Sequence, residues 1–184
     1  MSYLSSSLSF HSDKITITET GEEVMMSWED SLMSASAAYV TQNNGDILEI
    51  GFGMGISAGD MHSHSIASHT IIENHPDVIP KAQEWANSKS NVTIITGSWY
   101  DVKDNLSTYD GIFYDAFGDE NIDNFSSSLN NFTKSGTKVT WWNNIPSTNN
   151  YYNIPEVTYK EINVSPPSNM YFNSTTYYLP KKEF

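Results

Sequence analysis

Residues 46–59, Asp-Ile-Leu-Glu-Ile-Gly-Phe-Gly-Met-Gly-Ile-Ser-Ala-Gly, restrict the possible folds of this chain more than any other stretch. Ile47, Leu48 and Ile50 form a short apolar run that stops at Gly51, and glycines recur at Gly53 and Gly55. Such a run reads as a buried parallel strand entering a tight turn, with small residues opening a helix beyond it. The turn brings backbone close to a nucleotide-like ligand and points the N–H groups of the helix start at it. A dinucleotide fingerprint, G-x-G-x-x-G, needs a third glycine where this chain has Ile56. The pattern from Glu49 to Gly55 is E-x-G-x-G-x-G instead. The next strand, His69 to Glu73, ends in an acid 22 positions after Gly51, close to the separation at which a carboxylate accepts hydrogen bonds from ribose hydroxyls.

Strands and helices alternate on both sides of this unit. Trp28, Leu32, Ala35 and Tyr39 share a helical face, with Ser27 as the expected N-cap of a helix reaching Gln42. Residues 54–61 and 77–88 read as further helices, and Ile122, Phe125, Leu129 and Phe132 mark another. Strands are expected at 91–96, 111–115 and 138–142. This alternation predicts a parallel sheet covered by helices on both faces. The tail differs, because 157–164 and 170–179 are strand-like with only Ser165 to Asn169 between them, which predicts an antiparallel hairpin at one edge. Residues 1–24 are polar, with one alternating piece from Lys14 to Glu19.

Composition excludes several classes of partner. The net charge is −13 and all nine basic residues are lysines, so nucleic acid and anionic membrane surfaces are unfavourable partners, whereas a small cationic substrate is attracted. The chain has no cysteine, so disulfide and thiolate chemistry are excluded. No apolar run approaches the ~18 residues of a membrane span, and Met-Ser-Tyr-Leu-Ser-Ser-Ser lacks the basic and apolar parts of a signal peptide. The expectation is a cytoplasmic protein with one domain over residues 1–184, residues 1–42 forming a lid segment and helix.

Ligands of open α/β sheets sit beyond the carboxyl ends of the strands, which puts Asp115, at the end of 111–115, beside the bound cofactor. Here the chain resembles a known family. E-x-G-x-G-x-G between a strand and a helix is the glycine signature of S-adenosylmethionine-dependent methyltransferases. Val24-Met-Met-Ser-Trp-Glu-Asp-Ser-Leu-Met33 is similar to the Val-Met-Glu-Arg-Trp-Glu-Thr-Pro-Tyr-Met segment of the guanidinoacetate N-methyltransferases. Leu48-Glu-Ile-Gly-Phe-Gly-Met-Gly-Ile-Ser-Ala58 resembles that family's Leu-Glu-Val-Gly-Phe-Gly-Met-Ala-Ile-Ala-Ala. Ile71-Ile-Glu73, Gly97-Ser-Trp99, residues 109–115, Val164-Ser-Pro-Pro and Tyr177-Tyr-Leu-Pro180 occur in the family's order, so the likeness covers about residues 15–183.

The resemblance implies a Rossmann-like methyltransferase sheet of five parallel strands plus an antiparallel C-terminal hairpin. It implies S-adenosylmethionine as cofactor and S-adenosylhomocysteine as product. It implies Glu29 and Asp115 as the catalytic pair, and Met33, Glu49, Gly51, Phe52, Gly53, Gly55, Glu73, Asn74, Ser98, Trp99 and Asp115 as cofactor-binding residues. A planar guanidinium fork suits two carboxylates. The implied reaction is methylation of a small guanidino acceptor; the alternatives are methylation of protein arginine and an adenosyl-binding protein without transfer. Two positions depart from the family. Its Thr-Tyr-Pro after the aspartate is Ala116-Phe117-Gly118 here, and its Asn-Leu-Thr after strand five is Asn143-Asn144-Ile145.

Spacing sets three further expectations. His62 and His64 at i and i+2 of a helix diverge, so with His69 they make a poor metal set and none is expected. Trp141 and Trp142 face opposite sides of a strand, so at most one of them lines a pocket. The polar, Asn-rich stretch 143–156 lacks a helical pattern, which leaves part of one sheet face bare. Trp141, Tyr151 and Tyr152 are therefore expected to be buried in a homodimer or under a loop.

Overall fold

Leu48, Ile50, Ile112 and Tyr114 pack on one face of a central sheet, while Ile47 and Phe113, their alternating neighbours, pack on the other. That is the period-two behaviour of strands buried on both faces. The structure, a computed structural model, describes residues 2–150 and 152–184.

The strands are β1 (Leu8–Phe10), β2 (Lys14–Ile17), β3 (Glu23–Met26), β4 (Asp46–Ile50), β5 (Ser68–Glu73), β6 (Val92–Thr96), β7 (Tyr109–Tyr114), β8 (Thr133–Trp141), β9 (Thr158–Asn163) and β10 (Thr176–Glu183). The α-helices are α1 (Asp30–Val40), α2 (Ile56–His62), α3 (Ile79–Ala86), α4 (Trp99–Val102) and α5 (Phe125–Ser128). The main sheet has the order β6-β5-β4-β7-β8-β10-β9. β4 to β8 are parallel to one another, and β10 runs antiparallel between β8 and the edge strand β9. Five parallel strands with an antiparallel hairpin at one edge is the architecture the sequence predicts.

Close approach of elements sets two glycines. A Cβ at Gly111 in β7 would lie 2.1 Å from the Val40 carbonyl oxygen, so glycine lets the end of α1 settle on the sheet. Gly51, at φ +94°, would put a Cβ 2.0 Å from the Asp115 carbonyl oxygen, so only glycine lets β4 end beside the end of β7.

Several elements differ from the sequence expectation. The polar N-terminal segment forms a separate antiparallel sheet, β1-β2-β3, where only β2 carried an alternating signal. Ser27 does not cap α1. It opens a 3₁₀ turn, Ser27–Glu29, and Glu29 Oε1 accepts from the Met26 N–H at 2.9 Å. The helix expected around Ile122 to Phe132 is a string of single turns, 3₁₀ at Ile122–Asn124 and Leu129–Asn131 flanking α5. Met170 to Phe172 are not strand. They lie in a connection of twelve residues, 164–175, between β9 and β10.

No helix joins β8 to β9 among the described residues. The segment 142–157 instead folds back as a loop, and Tyr152 and Ile154 fill the place of a helix. The Tyr152 ring stands edge-on to Trp141 at 5.8 Å and to Phe125 at 6.3 Å. Asn150 closes the loop, its Oδ1 accepting from Ile154 N–H at 3.1 Å and its Nδ2 donating to the Ile154 carbonyl. Asn153, at φ +52°, takes a left-handed conformation that asparagine tolerates. Trp141 and Tyr152 are thus buried under the chain's own loop, and the bare face invoked for a homodimer is covered; Tyr151 lies outside the described residues. No helix is long and apolar enough to cross a membrane among the described residues.

Candidate functional site

At the carboxyl ends of β4, β5 and β7 the chain encloses a cavity of about 300 Å³. Its floor is the glycine turn. Gly51 N–H donates to the Ile72 carbonyl and Asp115 N–H to the Ile50 carbonyl, both at 2.9 Å, so three strand ends stay in register to the cavity. Glu73 closes β5 with its carboxylate turned back on this turn. Oε2 accepts from Phe52 N–H at 2.9 Å, and Oε1 accepts from Asn74 and His75 N–H at 2.8 Å each. Three charge-assisted bonds fix the carboxylate at the cavity wall.

The N-terminal sheet forms the roof. Met25 of β3 lies over the glycine turn, its sulfur accepting from Met54 N–H at 3.2 Å, and a Cβ at Gly53 would lie 2.6 Å from that sulfur. Tyr3 reaches in from the first turn of the chain, its ring 4.5 Å from His75 and 4.9 Å from Phe117. Gly118 is bare where Tyr3 packs, since a Cβ there would come within 2.8 Å of the tyrosine. The Ala116-Phe117-Gly118 departure is therefore matched to the roof.

Two carboxylates stand at the other end. Glu29 is only 3% exposed, and burial pushes its carboxyl up to about 7, less far than burial alone would because Tyr171 O–H and Met26 N–H donate to it. Both bonds fall on Oε1, that from Tyr171 at 2.5 Å, which leaves Oε2 for a ligand. Asp115 is held well above the usual carboxylate range, by burial first and then by the charges of Glu29 and Glu49. Aromatic rings close this end. Trp142 and Tyr171 line the cavity, and Trp28 backs them, stacked on Tyr171 at 6.1 Å and edge-on to Trp142 at 6.3 Å. Trp141 points the other way into the core, so one of the adjacent tryptophans lines the pocket and the other does not. Tyr171→Phe removes a bond that lowers the Glu29 value. The expected outcome is a Glu29 titration displaced upward from about 7, measured by carboxyl-labelled NMR.

With this geometry in view, residues 3–140 match the family model for guanidinoacetate N-methyltransferase. The chain belongs to the guanidinoacetate N-methyltransferase family. That family is one of S-adenosylmethionine-dependent methyltransferases, as the glycine signature implies. Among curated proteins the chain is 38% identical to protein arginine N-methyltransferase 2 of Aspergillus fumigatus over 128 residues, 66% of this chain and 30% of that protein. The chain thus spans about 30% of the length of that relative. Among solved structures its fold is similar to spermidine synthase from Thermotoga maritima, with a TM-score of 0.66 at 12% identity over 92% of this chain and 64% of that one. It is also similar to precorrin-6y C5,15-methyltransferase from Geobacter metallireducens, with a TM-score of 0.63 at 13% identity over 82% and 86% of the two chains.

Within this family member, Glu29, Gly51, Phe52, Gly53, Glu73, Asn74, Trp99 and Asp115 all line the one cavity. Met33, Glu49, Gly55 and Ser98 stand behind its wall. Met33 is core. Glu49 is fully buried, accepting from Ser57 O–H and lying 2.9 Å from His69 Nε2. Gly55 caps α2 at φ +73°, and Ser98 caps α4 by accepting from Tyr100 N–H at 3.3 Å. His62 stacks on His69 at 5.4 Å, while His64 is exposed.

The cavity also takes residues to which sequence reasoning gave no role, notably Tyr3, Met25, Asp119 and Tyr171, together with Asn144 from the stretch that departs from the family. Asp119 accepts from Trp99 Nε1–H at 2.5 Å, from Tyr114 O–H and from Asn121 N–H at 2.9 Å, which ties the loop after β7 to the cavity. An acid four positions beyond Asp115 and close to Gly118 was the available signal. Tyr171 had none, because its contact with Glu29 spans 142 positions.

Proposed function

We propose that this chain binds S-adenosylmethionine and methylates a nitrogen of a small guanidino acceptor. The observation that carries the reading is that Glu29 and Asp115 line the same cavity as the glycine turn and Glu73. The chain's residues suit the cofactor. Glu73 is fixed beside the turn, and the Cβ position of Gly97, at φ +130° on the cavity wall, is open space along which an adenosyl group can lie. When bound, S-adenosylmethionine supplies a methyl group on a positively charged sulfur. Glu29 holds the guanidinium fork, and Asp115 orients the attacking nitrogen and takes the proton released as the carbon–nitrogen bond forms. Two buried, mutually repelling carboxylates are relieved by a cation, in keeping with a net charge of −13.

A second reading is methylation of an arginine side chain in a protein, favoured by the name of the Aspergillus fumigatus relative. The same two carboxylates would hold that guanidinium.

Calorimetry tests the cofactor half. S-adenosylmethionine and S-adenosylhomocysteine should bind and NAD should not, because Ile56 stands where a dinucleotide site needs glycine. Glu73→Ala should weaken adenosyl binding by about 1–3 kcal/mol through lost charged hydrogen bonds. Heat from NAD and none from either adenosyl compound would sink the proposal. Mass analysis of products from labelled cofactor and guanidino compounds tests the transfer half.

A further inference from the structure

Four carboxylates line the cavity, and the reaction proposed above employs those of Glu29, Glu73 and Asp115. The fourth, Asp119, has no part in it. Asp119 sits in the loop after β7, yet its carboxylate meets the indole of Trp99, the first residue of α4. Gly97 and Ile122 line the cavity with this pair. Gly97 and Trp99 follow β6, which β5 and β4 separate from β7 in the sheet, so this wall lies beyond Glu73 as seen from Asp115. If S-adenosylmethionine binds as proposed, with its ribose hydroxyls on Glu73, its base runs along the open space at Gly97 towards Asp119.

The bonds that Asp119 already makes define what it can still do. Trp99 Nε1–H and Asn121 N–H can only donate, so both carboxylate oxygens are acceptors. Oδ2 takes Trp99 at 2.5 Å and the Tyr114 O–H, which occupies its two lone pairs. Oδ1 takes Asn121 N–H at 2.9 Å and keeps one lone pair. Its neighbours on the wall offer no rival side-chain acceptor. The indole of Trp99 has no second polar atom, and Gly97 and Ile122 have no polar side chain. The Ser98 hydroxyl accepts from Tyr100 N–H as the cap of α4. Adenine presents a 6-amino group that only donates, and a fixed carboxylate oxygen with spare capacity suits it. A 6-oxo group in the same place would set acceptor against acceptor.

We propose that Asp119 reads the base of the cofactor, its Oδ1 accepting a hydrogen bond from the 6-amino group of adenine while Trp99 and Tyr114 hold the carboxylate in place. Calorimetry with S-adenosylhomocysteine and its 6-oxo analogue, S-inosylhomocysteine, tests this on the wild type and on Asp119→Asn. In the variant, Trp99 N–H demands an oxygen at the place of Oδ2, so the amide nitrogen takes the place of Oδ1 and turns a donor to the base. The wild type should prefer the adenosyl ligand by about tenfold or more, and Asp119→Asn should lose or reverse that preference. A wild type that binds both ligands alike overturns the proposal. So does a folded variant that weakens both by the same factor and keeps the preference, because that is the mark of a merely structural role.

Asn121 N–H loses its partner in Asp119→Asn, so a melting curve establishes first that the variant is folded. If it is not, carboxyl-labelled NMR of the wild type decides. Saturating S-adenosylhomocysteine should displace the Asp119 signal further than saturating S-inosylhomocysteine does, and equal displacement or none overturns the proposal. No heat from either ligand overturns the cofactor reading and this proposal with it, whereas a preference that survives in folded Asp119→Asn overturns this one alone.

Discussion

Asp115→Asn should lower turnover roughly 10²–10⁴-fold while leaving adenosyl affinity within a few-fold. The amide keeps the shape of the side chain and can still accept a hydrogen bond, but it carries neither the charge nor the basicity that proton acceptance requires. Asp115 directly follows β7, where its own N–H donates to the Ile50 carbonyl at 2.9 Å and its carbonyl lies against Gly51. The substitution therefore leaves the strand end in place and changes only the group facing the cavity. Single-turnover kinetics separate the chemical step from binding. Wild-type turnover in Asp115→Asn with the true acceptor would remove the centre of the proposed mechanism.

Glu29→Gln should stabilise the ligand-free protein at pH 8 and do almost nothing to its stability at pH 4. The direction of the shift sets the sign. A carboxyl raised from the ordinary 4.5 to about 7 binds its proton more tightly in the folded state, so folding is favoured below 4.5. That advantage is lost as pH rises through about 7, where ionised Glu29 is a buried charge near Asp115. The span corresponds to about 3 kcal/mol. Glutamine can still accept from Met26 N–H and Tyr171 O–H, so the substitution removes the charge and keeps the packing. Denaturant unfolding should show a gain of about 2–3 kcal/mol at the higher pH, together with a raised Michaelis constant for a guanidino acceptor. A stability difference independent of pH would refute this account of Glu29. A site that is costly without its ligand and relieved by a cation is the stability–activity trade expected of pre-organised charge.

The five parallel strands were legible because each contains a short apolar run, and four of them meet a glycine or an acid at the end, Gly51, Glu73, Gly97 and Asp115. The cavity wall those ends supply, from Gly51 to Asp115, was legible with them. Glu29 was reached only through the family resemblance, since nothing in its local pattern separates it from Asp30. β1 and β3 were missed because Leu8-Ser-Phe10 and Glu23-Val-Met-Met26 are too short to show a period, and their pairing comes from the hairpins around them. Tyr171 was misread as strand because Met170-Tyr-Phe172 and Thr175-Thr-Tyr-Tyr178 have the aromatic and β-branched composition that strands favour. In the fold, Trp28 and Phe172 hold that segment over Glu29 instead, their rings stacked at 5.7 Å. The loop 142–157 shows the limit of reasoning from missing helices. A bare sheet face needs cover, but one well-placed tyrosine and isoleucine supply it as fully as a helix or a second copy would.

The bond between Tyr171 and Glu29 also carries a timetable. It joins positions 142 apart, and the Tyr39 hydroxyl reaches the Lys182 carbonyl across 143. Contacts of such long range form late, because the loop they close must be ordered first. While the chain is being synthesised, the glycine turn and its parallel neighbours can pair as soon as β7 has emerged. Glu29 waits for a hydroxyl made 142 positions later, and until it arrives the carboxylate has every reason to stay in water. The wall that the parallel strands supply can thus form before Tyr171 is made, and a hairpin translated after all five of those strands is the one that completes the surroundings of Glu29.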